Sequence, residues 1–219
     1  MPDVAVLLCG GKGRRWNNYL GIPKHLIEIG DETLLERTVR LIHLRSNAQI
    51  VVVGHDRIPE LAGTVVIPPE PYGDEPVETD KLLSARSRWS KAGRTFILYG
   101  DVWFSEECMD AVFANEEDFW WFGREGRSHF TGKRWGELFA LAFESWRADH
   151  VREHIVKIRT LLAEGKISRG LGWEVYKSMV GIPLRIHATG EHFTEINDWT
   201  DDFDAPGEYE MWLSNRQRL

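Results

Sequence analysis

The chain opens with the stretch that decides its fold: Val4-Ala5-Val6-Leu7-Leu8-Cys9-Gly10-Gly11-Lys12-Gly13-Arg14-Arg15. Its first half is an apolar run of strand length, and its second half brings glycines together with basic residues. Ile22-Pro23-Lys24 follows, where the proline fixes the backbone ahead of a lysine. Because glycine has no Cβ, backbone N–H groups in such a turn can close around phosphate oxygens. The stretch therefore predicts a strand that is followed directly by a triphosphate-binding loop.

The glycine spacing separates this loop from two other phosphate-binding motifs. A P-loop ends in Gly-Lys-Ser/Thr, whereas this loop contains Gly11-Lys12-Gly13 and then Arg14. The dinucleotide fingerprint needs a further glycine three positions after Gly13, and none is present. Taken alone, the glycines favour a simpler interpretation, which is a glycine-rich turn with solvated arginines.

The loop together with the downstream Pro-Lys pair resembles the signature of the nucleotidyltransferases with a GT-A-like Rossmann fold, the sugar-phosphate and MobA-like enzymes among them. That signature has the form Gly-x-Gly-x-Arg and, about ten residues later, Pro-Lys. It falls here on Gly11, Gly13, Arg15, Pro23 and Lys24, in order. Cys9-Gly10 stands where the family often has two alanines.

The resemblance assigns roles to residues of the loop and beyond it. It implies that Arg15 and Lys24 contact the phosphates and are the catalytic basic residues. The residues expected to bind the nucleotide are Cys9, Gly10, Gly11, Lys12, Gly13, Arg14, Gly73 and Gly100. Gly73 lies in a segment rich in proline and glycine, the region that reaches over the nucleotide base in the resembling family.

Two separated aspartates bind the metal in the resembling family. Asp101 follows Gly100 at the end of the apolar run 95–99, and carboxyl ends of strands in open α/β sheets are where ligands bind. Asp198 begins an acid-rich segment near the end of the chain, and the resemblance favours it as the second ligand. Mg²⁺ is the expected ion because it prefers oxygen ligands. Glu195, Asp201 and Asp204 compete with Asp198 for the role of metal ligand. Asp202 is expected at a helix N-terminus. Capping or solvated roles are the simpler alternative for all of these acids.

Composition limits the classes of protein to which the chain can belong. It has 219 residues, 42% of them hydrophobic, which suffices for one domain with a sizeable core. The net charge of −7 argues against a nucleic-acid partner, since no broad basic face is expected. The two cysteines, Cys9 and Cys108, form no disulfide framework, and no apolar run approaches the ~18 residues of a membrane span. We therefore expect a cytoplasmic protein without a signal peptide, and a homodimer is compatible with the sequence.

The order of predicted elements gives the fold class, an α/β protein. A strand near 4–8, a helix over 32–44 and a β-branched strand over 49–54 form a βαβ unit, and further strands follow at 65–67 and 95–99, with a helix over 78–89 between them. The resemblance implies a three-layer α/β/α sandwich with a mostly parallel sheet. Residues 1–105 form the nucleotide-binding half of a single domain. Residues 106–219 contain an acceptor-binding insertion. They include aromatic strands at 118–123 and 136–143 around a long hairpin or flap, helices near 151–164 and 173–179, and a late strand from 192.

The acceptor itself is left open by the sequence. The chain has ten tryptophans, and Trp103, Trp135 and Trp173 are candidates for the walls of an acceptor pocket. Aromatic walls suit a sugar ring by stacking or a quaternary ammonium group by cation–π attraction. Core packing is the default interpretation for each of them.

Three functions are weighed. The favoured one is Mg²⁺-dependent transfer of NMP from an NTP to a phosphorylated small molecule, a sugar phosphate before a phosphocholine-like acceptor, with release of pyrophosphate. The alternatives are a GT-A glycosyltransferase that uses a nucleotide-sugar donor and a non-catalytic nucleotide-binding module. A separate motif, His150-Val151-Arg152-Glu153-His154, matches the inverted zinc-peptidase pattern. No clear third ligand follows it, and an exposed helix face explains it better.

Overall fold

The computed structural model describes residues 2–11, 13–54, 58–70 and 78–217. The strands are β1 Val4–Leu8, β2 Glu28–Ile29, β3 Glu32–Thr33, β4 Gln49–Val53, β5 Thr64–Ile67, β6 Arg94–Tyr99, β7 Val102–Trp103, β8 Phe119–Arg124, β9 Glu137–Glu144, β10 Phe193–Glu195 and β11 Asp201–Asp202. The α-helices are α1 Leu34–His43, α2 Glu78–Leu83, α3 Glu106–Ala114, α4 Ala148–Ala163, α5 Gly172–Val180 and α6 Pro206–Arg216.

Seven strands form one central sheet in the order β10-β8-β9-β6-β1-β4-β5. Strand β1 has parallel neighbours on both sides, β6 and β4, and β5 extends the parallel set beyond β4. Strand β9 is antiparallel to β6 and β8, while β10 is parallel to β8. The prediction of a mostly parallel sheet is confirmed.

The central strand β1 is buried on both faces. Ala5 and Leu7 point into the core under α1 and α3, whereas Val6 and Leu8 point into the core under α2, α4 and α5. Alternate residues of a strand face opposite sides of the sheet, so a continuously apolar strand needs helices on both faces. This produces the three-layer α/β/α sandwich that the sequence predicts.

A third apolar cluster joins the two ends of the chain. Trp212 and Tyr209 of α6 pack with Trp16, which follows the glycine-rich loop, and with Trp103 of β7. The rings of Trp103 and Trp212 have centroids 4.9 Å apart. This packing brings the segment before α6 next to the amino-terminal loop.

The second half follows the expected outline. Strands β8 and β9 are antiparallel neighbours joined by the polar segment 125–136, so the predicted hairpin is present. The helix predicted over 78–89 is shorter, because α2 ends at Leu83 and a 3₁₀ turn covers Arg86–Arg88. The Ser84 carbonyl accepts a hydrogen bond from the Glu70 amide, outside the helix, which competes with helical bonding there. Among the described residues, no helix is both long and apolar enough to span a membrane.

Candidate active site

A cleft of about 1090 Å³ opens at the carboxyl ends of β1 and β6. Cys9, Gly11 and Gly13 line it on the side of β1, and Gly100 and Asp101 line it on the side of β6. Open α/β sheets bind their ligands at this edge. Pockets that bind small ligands measure ~300–1,000 Å³. The cleft therefore lies at the upper end of the sizes found for ligand sites.

Lys24 and Arg15 both contact Asp204, an acid of this cleft. Lys24 begins a short 3₁₀ helix directly after Pro23, its Nζ contacts Asp101, and the same Nζ lies 3.1 Å from Oδ1 of Asp204. Arg15 contributes Nη2, which lies 2.6 Å from Oδ2 of Asp204. Both basic residues thus line the same cleft as Asp101.

Three aspartates form a compact cluster at this point. Asp101, Asp202 and Asp204 each offer a carboxylate oxygen, and these oxygens lie within 4.8 Å of one another. The antiparallel pair of β7 and β11 sets Asp202 opposite Val102, and the Phe203 amide donates to the Asp101 carbonyl at 3.1 Å. Oδ1 of Asp202 is buried and has no hydrogen-bond partner in the described part of the chain. Burying a carboxylate oxygen without a hydrogen-bond donor costs folding free energy, and a bound cation would remove that cost.

Asp198, which the resemblance pairs with Asp101, lies elsewhere. Its Oδ1 accepts a hydrogen bond from the Thr200 amide at 2.7 Å, and its Oδ2 accepts one from the Ser105 hydroxyl at 2.6 Å. Ser105 caps α3. Since β11 runs antiparallel to β7, the chain from Asp202 back to Asp198 leads toward Ser105 and away from Asp101. The structure groups Asp101 with Asp202 and Asp204 and not with Asp198, and a metal role for Asp198 stays a prediction.

The acids that compete with Asp198 have partners outside the aspartate cluster, except for Asp204, which belongs to the cluster. Asp201 is fully buried, with Oδ1 2.6 Å from Arg124 Nη2 and Oδ2 accepting from the hydroxyls of Ser128 and Thr131. Glu195 accepts from the Glu125 amide. Asp202, expected at a helix N-terminus, lies in β11, and it is Asp204 that lies just before α6.

Lys133 was not singled out by the sequence and lies at the centre of the acids. Its Nζ contacts Asp202 and lies 3.1 Å from Asp204, 3.1 Å from Glu137 and 3.6 Å from Glu208. The side chain is 4% exposed. Lysine is almost never buried without partners, and these carboxylates supply them. Nothing in the polar loop 125–136 marked this residue, because three of its four partners, Asp202, Asp204 and Glu208, come from a distant part of the chain.

Burial and neighbouring charges set the ionisation of the cluster. Burial opposes the charge of Lys24, but Asp101 and Asp204 outweigh it and raise its pKa. Burial also opposes ionisation of Asp204, yet Lys133 and Lys24 outweigh it and lower its pKa. Burial raises the pKa of Asp202 well above its usual range, and Glu137 adds to this effect. Asp202 is therefore the acid that most needs a further cation to become charged.

The glycine-rich loop follows β1 as expected. Gly13 has φ +54°, a left-handed conformation that favours glycine. Gly11 lies beside Lys81, a further basic residue of the cleft, since a Cβ on Gly11 would be 3.6 Å from Lys81 Nζ. Arg14 is exposed, and Gly10 follows buried Cys9, whose N–H donates to the Val53 carbonyl at 2.8 Å. Lys12 and Gly73 lie outside the described residues.

The predicted tryptophans divide between the cleft and the core. Trp135 and Trp173 line the cleft, Trp135 with 75% of its surface exposed. Trp103 belongs instead to the third apolar cluster, against Trp212. The histidines of the peptidase-like motif lie on α4, where Nδ1 of His154 is 2.8 Å from the Ser178 hydroxyl. Within the described residues, the aspartate cluster alone groups three or more metal-capable side chains.

A glycine-rich loop after the first strand, with basic residues and acids at the edge of a mostly parallel sheet, is the arrangement expected of a nucleotidyltransferase. The chain belongs to the family described as the MobA-like NTP transferase domain, whose model matches residues 5–169. The match ends before Asp202 and Asp204. No curated protein matches the sequence significantly.

Solved structures share the fold at low sequence identity. The chain is similar to the CTP:phosphocholine cytidylyltransferase of Streptococcus pneumoniae, with TM-score 0.63 and 14% identity over 99% of this chain and 100% of that one. It is similar to the inositol-1-phosphate CTP transferase of T. maritima, with TM-score 0.60 and 14% identity over 100% and 98% of the two chains. A third is the 2-C-methyl-D-erythritol 4-phosphate cytidylyltransferase of Thermus thermophilus, with TM-score 0.58 and 15% identity over 99% and 100%.

Proposed function

We propose that the protein transfers NMP from an NTP to a phosphorylated small molecule, depends on Mg²⁺ and releases pyrophosphate. The observation that carries the proposal is the convergence of Arg15 and Lys24 with Asp101, Asp202 and Asp204 in one cleft. Joining two phosphorylated substrates brings anions together, so the site must supply positive charge and hold a cation. Both requirements are met by residues of this cleft.

The aspartate cluster fits Mg²⁺. All three side chains offer carboxylate oxygens, the donors that this ion prefers, and the buried Oδ1 of Asp202 lacks any other partner among the described residues. We assign Asp101, Asp202 and Asp204 as the residues that would hold the ion. When bound, Mg²⁺ would neutralise phosphate charge and help to orient the triphosphate.

The basic residues have separate tasks in this proposal. Arg15 is largely exposed at the rim of the cleft, and its guanidinium can turn from Asp204 to the phosphates. Lys24 is mostly buried and fixed between Asp101 and Asp204, so it offsets charge at a constant position. The glycine-rich loop brings backbone N–H groups to the triphosphate, and Gly13 permits the turn.

The acceptor phosphate attacks the α-phosphorus in line, and pyrophosphate leaves. Because little covalent chemistry is left to side chains, positioning and charge stabilisation account for the rate. The three cytidylyltransferases named above support a phosphorylated small molecule as the acceptor. A sugar phosphate is the first candidate that we propose. A homodimer and a cytoplasmic location remain predictions.

Measuring pyrophosphate tests this function. The protein is incubated with each of four NTPs, Mg²⁺ and a set of phosphorylated acceptors, with EDTA in place of Mg²⁺ as the control. Pyrophosphate release that requires NTP, acceptor and metal together supports the proposal. Sugar transfer from a nucleotide-sugar donor without pyrophosphate would identify a glycosyltransferase, and NTP binding without either reaction would identify a binding module.

A further inference from the structure

Three arginines line the half of the cleft that faces the second part of the chain. Arg134 lies between β8 and β9, Arg169 between α4 and α5, and Arg185 between α5 and β10. All three are exposed. In the described part of the chain, none of their guanidinium groups has an ion pair or a hydrogen bond. Three separate loops therefore deliver unpaired positive charge to one wall.

The acids of the same wall do not neutralise these arginines. Glu125 accepts hydrogen bonds from the amide and the hydroxyl of Thr189, at 3.1 and 2.8 Å. Glu174 accepts from the Leu171 amide and lies 3.5 Å from Lys177 Nζ. The three arginines and Lys177 outnumber these two acids, so a chain with a net charge of −7 keeps a local excess of positive charge here. Such an excess in a concave site attracts anions.

Trp173 holds two of the three loops at this wall. Its Nε1 donates a hydrogen bond to the Gly136 carbonyl at 3.1 Å, two residues after Arg134. Its ring centroid lies 5.0 Å from that of His187, two residues after Arg185. His187 Nε2 in turn lies 2.8 Å from the Glu125 carbonyl oxygen. The backbones that present Arg134 and Arg185 are therefore tied to one buried indole.

We infer that the acceptor carries an anionic group in addition to the phosphate that attacks the NTP, and that Arg134, Arg169 and Arg185 bind it. This inference rests on the proposed function and names the substrate class. Arginine is suited to the role because its planar guanidinium binds carboxylate or phosphate through paired hydrogen bonds. The exposed face of Trp135, next to Arg134, can cover the apolar part of the acceptor.

The same arrangement disfavours a cationic acceptor. Trp135 and Trp173 by themselves would suit a quaternary ammonium group. With three unpaired guanidinium groups lining the same wall, such a group would meet like charges. Phosphocholine should therefore be a poor acceptor, although one protein of similar fold is a phosphocholine cytidylyltransferase.

Three hexose phosphates that differ only at C6 test the inference. Glucose 1-phosphate has a hydroxyl there, glucuronate 1-phosphate a carboxylate and glucose 1,6-bisphosphate a phosphate. We expect kcat/KM, measured by pyrophosphate release, to be roughly tenfold or more higher for one of the two anionic compounds than for glucose 1-phosphate, because hydrogen bonds to charged groups are the stronger ones. Which of the two is higher separates carboxylate from phosphate as the second anion. Phosphocholine is expected to rank last.

Substitution of single arginines tests which residues produce the preference for an anionic acceptor. Arg134→Gln, Arg169→Gln and Arg185→Gln should each reduce the preference for the anionic compound by roughly tenfold while leaving KM for the NTP unchanged. Arg127→Gln is the matched control, since Arg127 is exposed in the same loop as Arg134 and is not among the residues of the cleft. A preference that persists in all three variants would overturn the assignment of these residues.

Failure of the inference and failure of the proposed function give different results. Pyrophosphate release that is equal for the three hexose phosphates, or highest with phosphocholine, overturns the inference and leaves nucleotidyl transfer intact. No pyrophosphate with any acceptor overturns the proposed function. In that case calorimetry with the same three compounds decides the anion site, since binding of the C6 anions that is no tighter than binding of glucose 1-phosphate also overturns the inference.

Discussion

Lys24 Nζ donates a hydrogen bond to Oδ1 of Asp204 at 3.1 Å, across a sequence separation of 180 residues. The same Nζ contacts Asp101, so one lysine of the amino-terminal loop joins an acid from the middle of the chain to one near its end. Arg15 holds the second oxygen of Asp204. These contacts make the site a product of three distant segments, and the predictions below test each part of it.

The three clustered acids should bind the metal, and Asp198 should not. Asp101→Asn, Asp202→Asn and Asp204→Asn are each expected to weaken the binding of Mn²⁺, which serves as the probe for Mg²⁺. Each variant should also lower kcat/KM by ~10²-fold or more, since each removes charge from the site of phosphate neutralisation. Calorimetry measures the first effect and pyrophosphate release the second.

Asp198→Asn is the control for this series. Its carboxylate binds Thr200 and Ser105, so the expected loss is in the stability of the α3 start and not in Mn²⁺ affinity. Loss of Mn²⁺ binding in this variant, with normal binding in Asp202→Asn, would restore the pairing that the sequence resemblance favours.

Lys133 should stabilise the acid cluster when no metal is bound. Lys133→Met leaves Asp202, Asp204, Glu137 and Glu208 without their shared buried cation, and removing one partner of a buried ion pair costs about 3–5 kcal/mol. Urea unfolding in EDTA measures the loss. Adding Mg²⁺ should restore more stability to this variant than to the wild type, because the ion replaces part of the missing positive charge.

The matched control is Lys166→Met. Lys166 pairs with Glu164 on the surface, with 63% of its side chain exposed, and such pairs contribute ~0–1 kcal/mol. Equal losses in the two variants would show that Lys133 is no more than a surface charge.

His25 should make the protein less stable as the pH falls. Burial lowers its pKa from 6.5 to about 4, with Asp101 acting against the shift and Lys24 adding to it. Its buried Nε2 has no hydrogen-bond partner in the described chain. Because the folded pKa is the lower one, the unfolded chain takes up a proton first, so the stabilisation is complete above pH 6.5 and is lost as the pH falls toward 4.

His25→Gln removes this contribution. Between pH 7 and pH 4 the wild type should lose up to ~3 kcal/mol of unfolding free energy more than the variant, since each pKa unit corresponds to ~1.4 kcal/mol. Urea unfolding at several pH values measures the difference. Parallel pH profiles of the two proteins would contradict the assignment of a buried neutral imidazole.

Gly100 should tolerate no side chain. A Cβ at this position would lie 2.4 Å from Cys9 Sγ and 3.0 Å from the Leu8 carbonyl oxygen, which belongs to the central strand. Gly100→Ala is therefore expected to cost about 1–3 kcal/mol. Gly126→Ala is the control, because a Cβ there would meet nothing within 4 Å. Denaturant unfolding distinguishes the two, and equal stability of both variants would contradict the close approach of β1 and β6.

Local sequence patterns were sufficient for the sheet and the loop. The apolar run of β1 and the β-branched run of β4 require cover on both faces, so a layered α/β fold follows from them. Asp101 was found because it ends a predicted strand. Lys133 was missed because it stands in no pattern of its own. Asp202 was assigned to a helix N-terminus because neighbours along the chain do not show which acid of its segment meets Asp101, and the family model ends before it.

What the sequence determined by itself is everything that depends on neighbours along the chain: the strands, the turn that glycine permits, and the class of enzyme that this turn indicates. The tertiary structure alone decided which acids meet Asp101, because the two-residue ladder between β7 and β11 sets their register. A shift of that register by a few residues would bring Asp198 toward Asp101 without changing any local pattern. The packing of α6 against Trp103 and Trp16 selects one register, and contacts of such long range leave no periodic signal in the sequence.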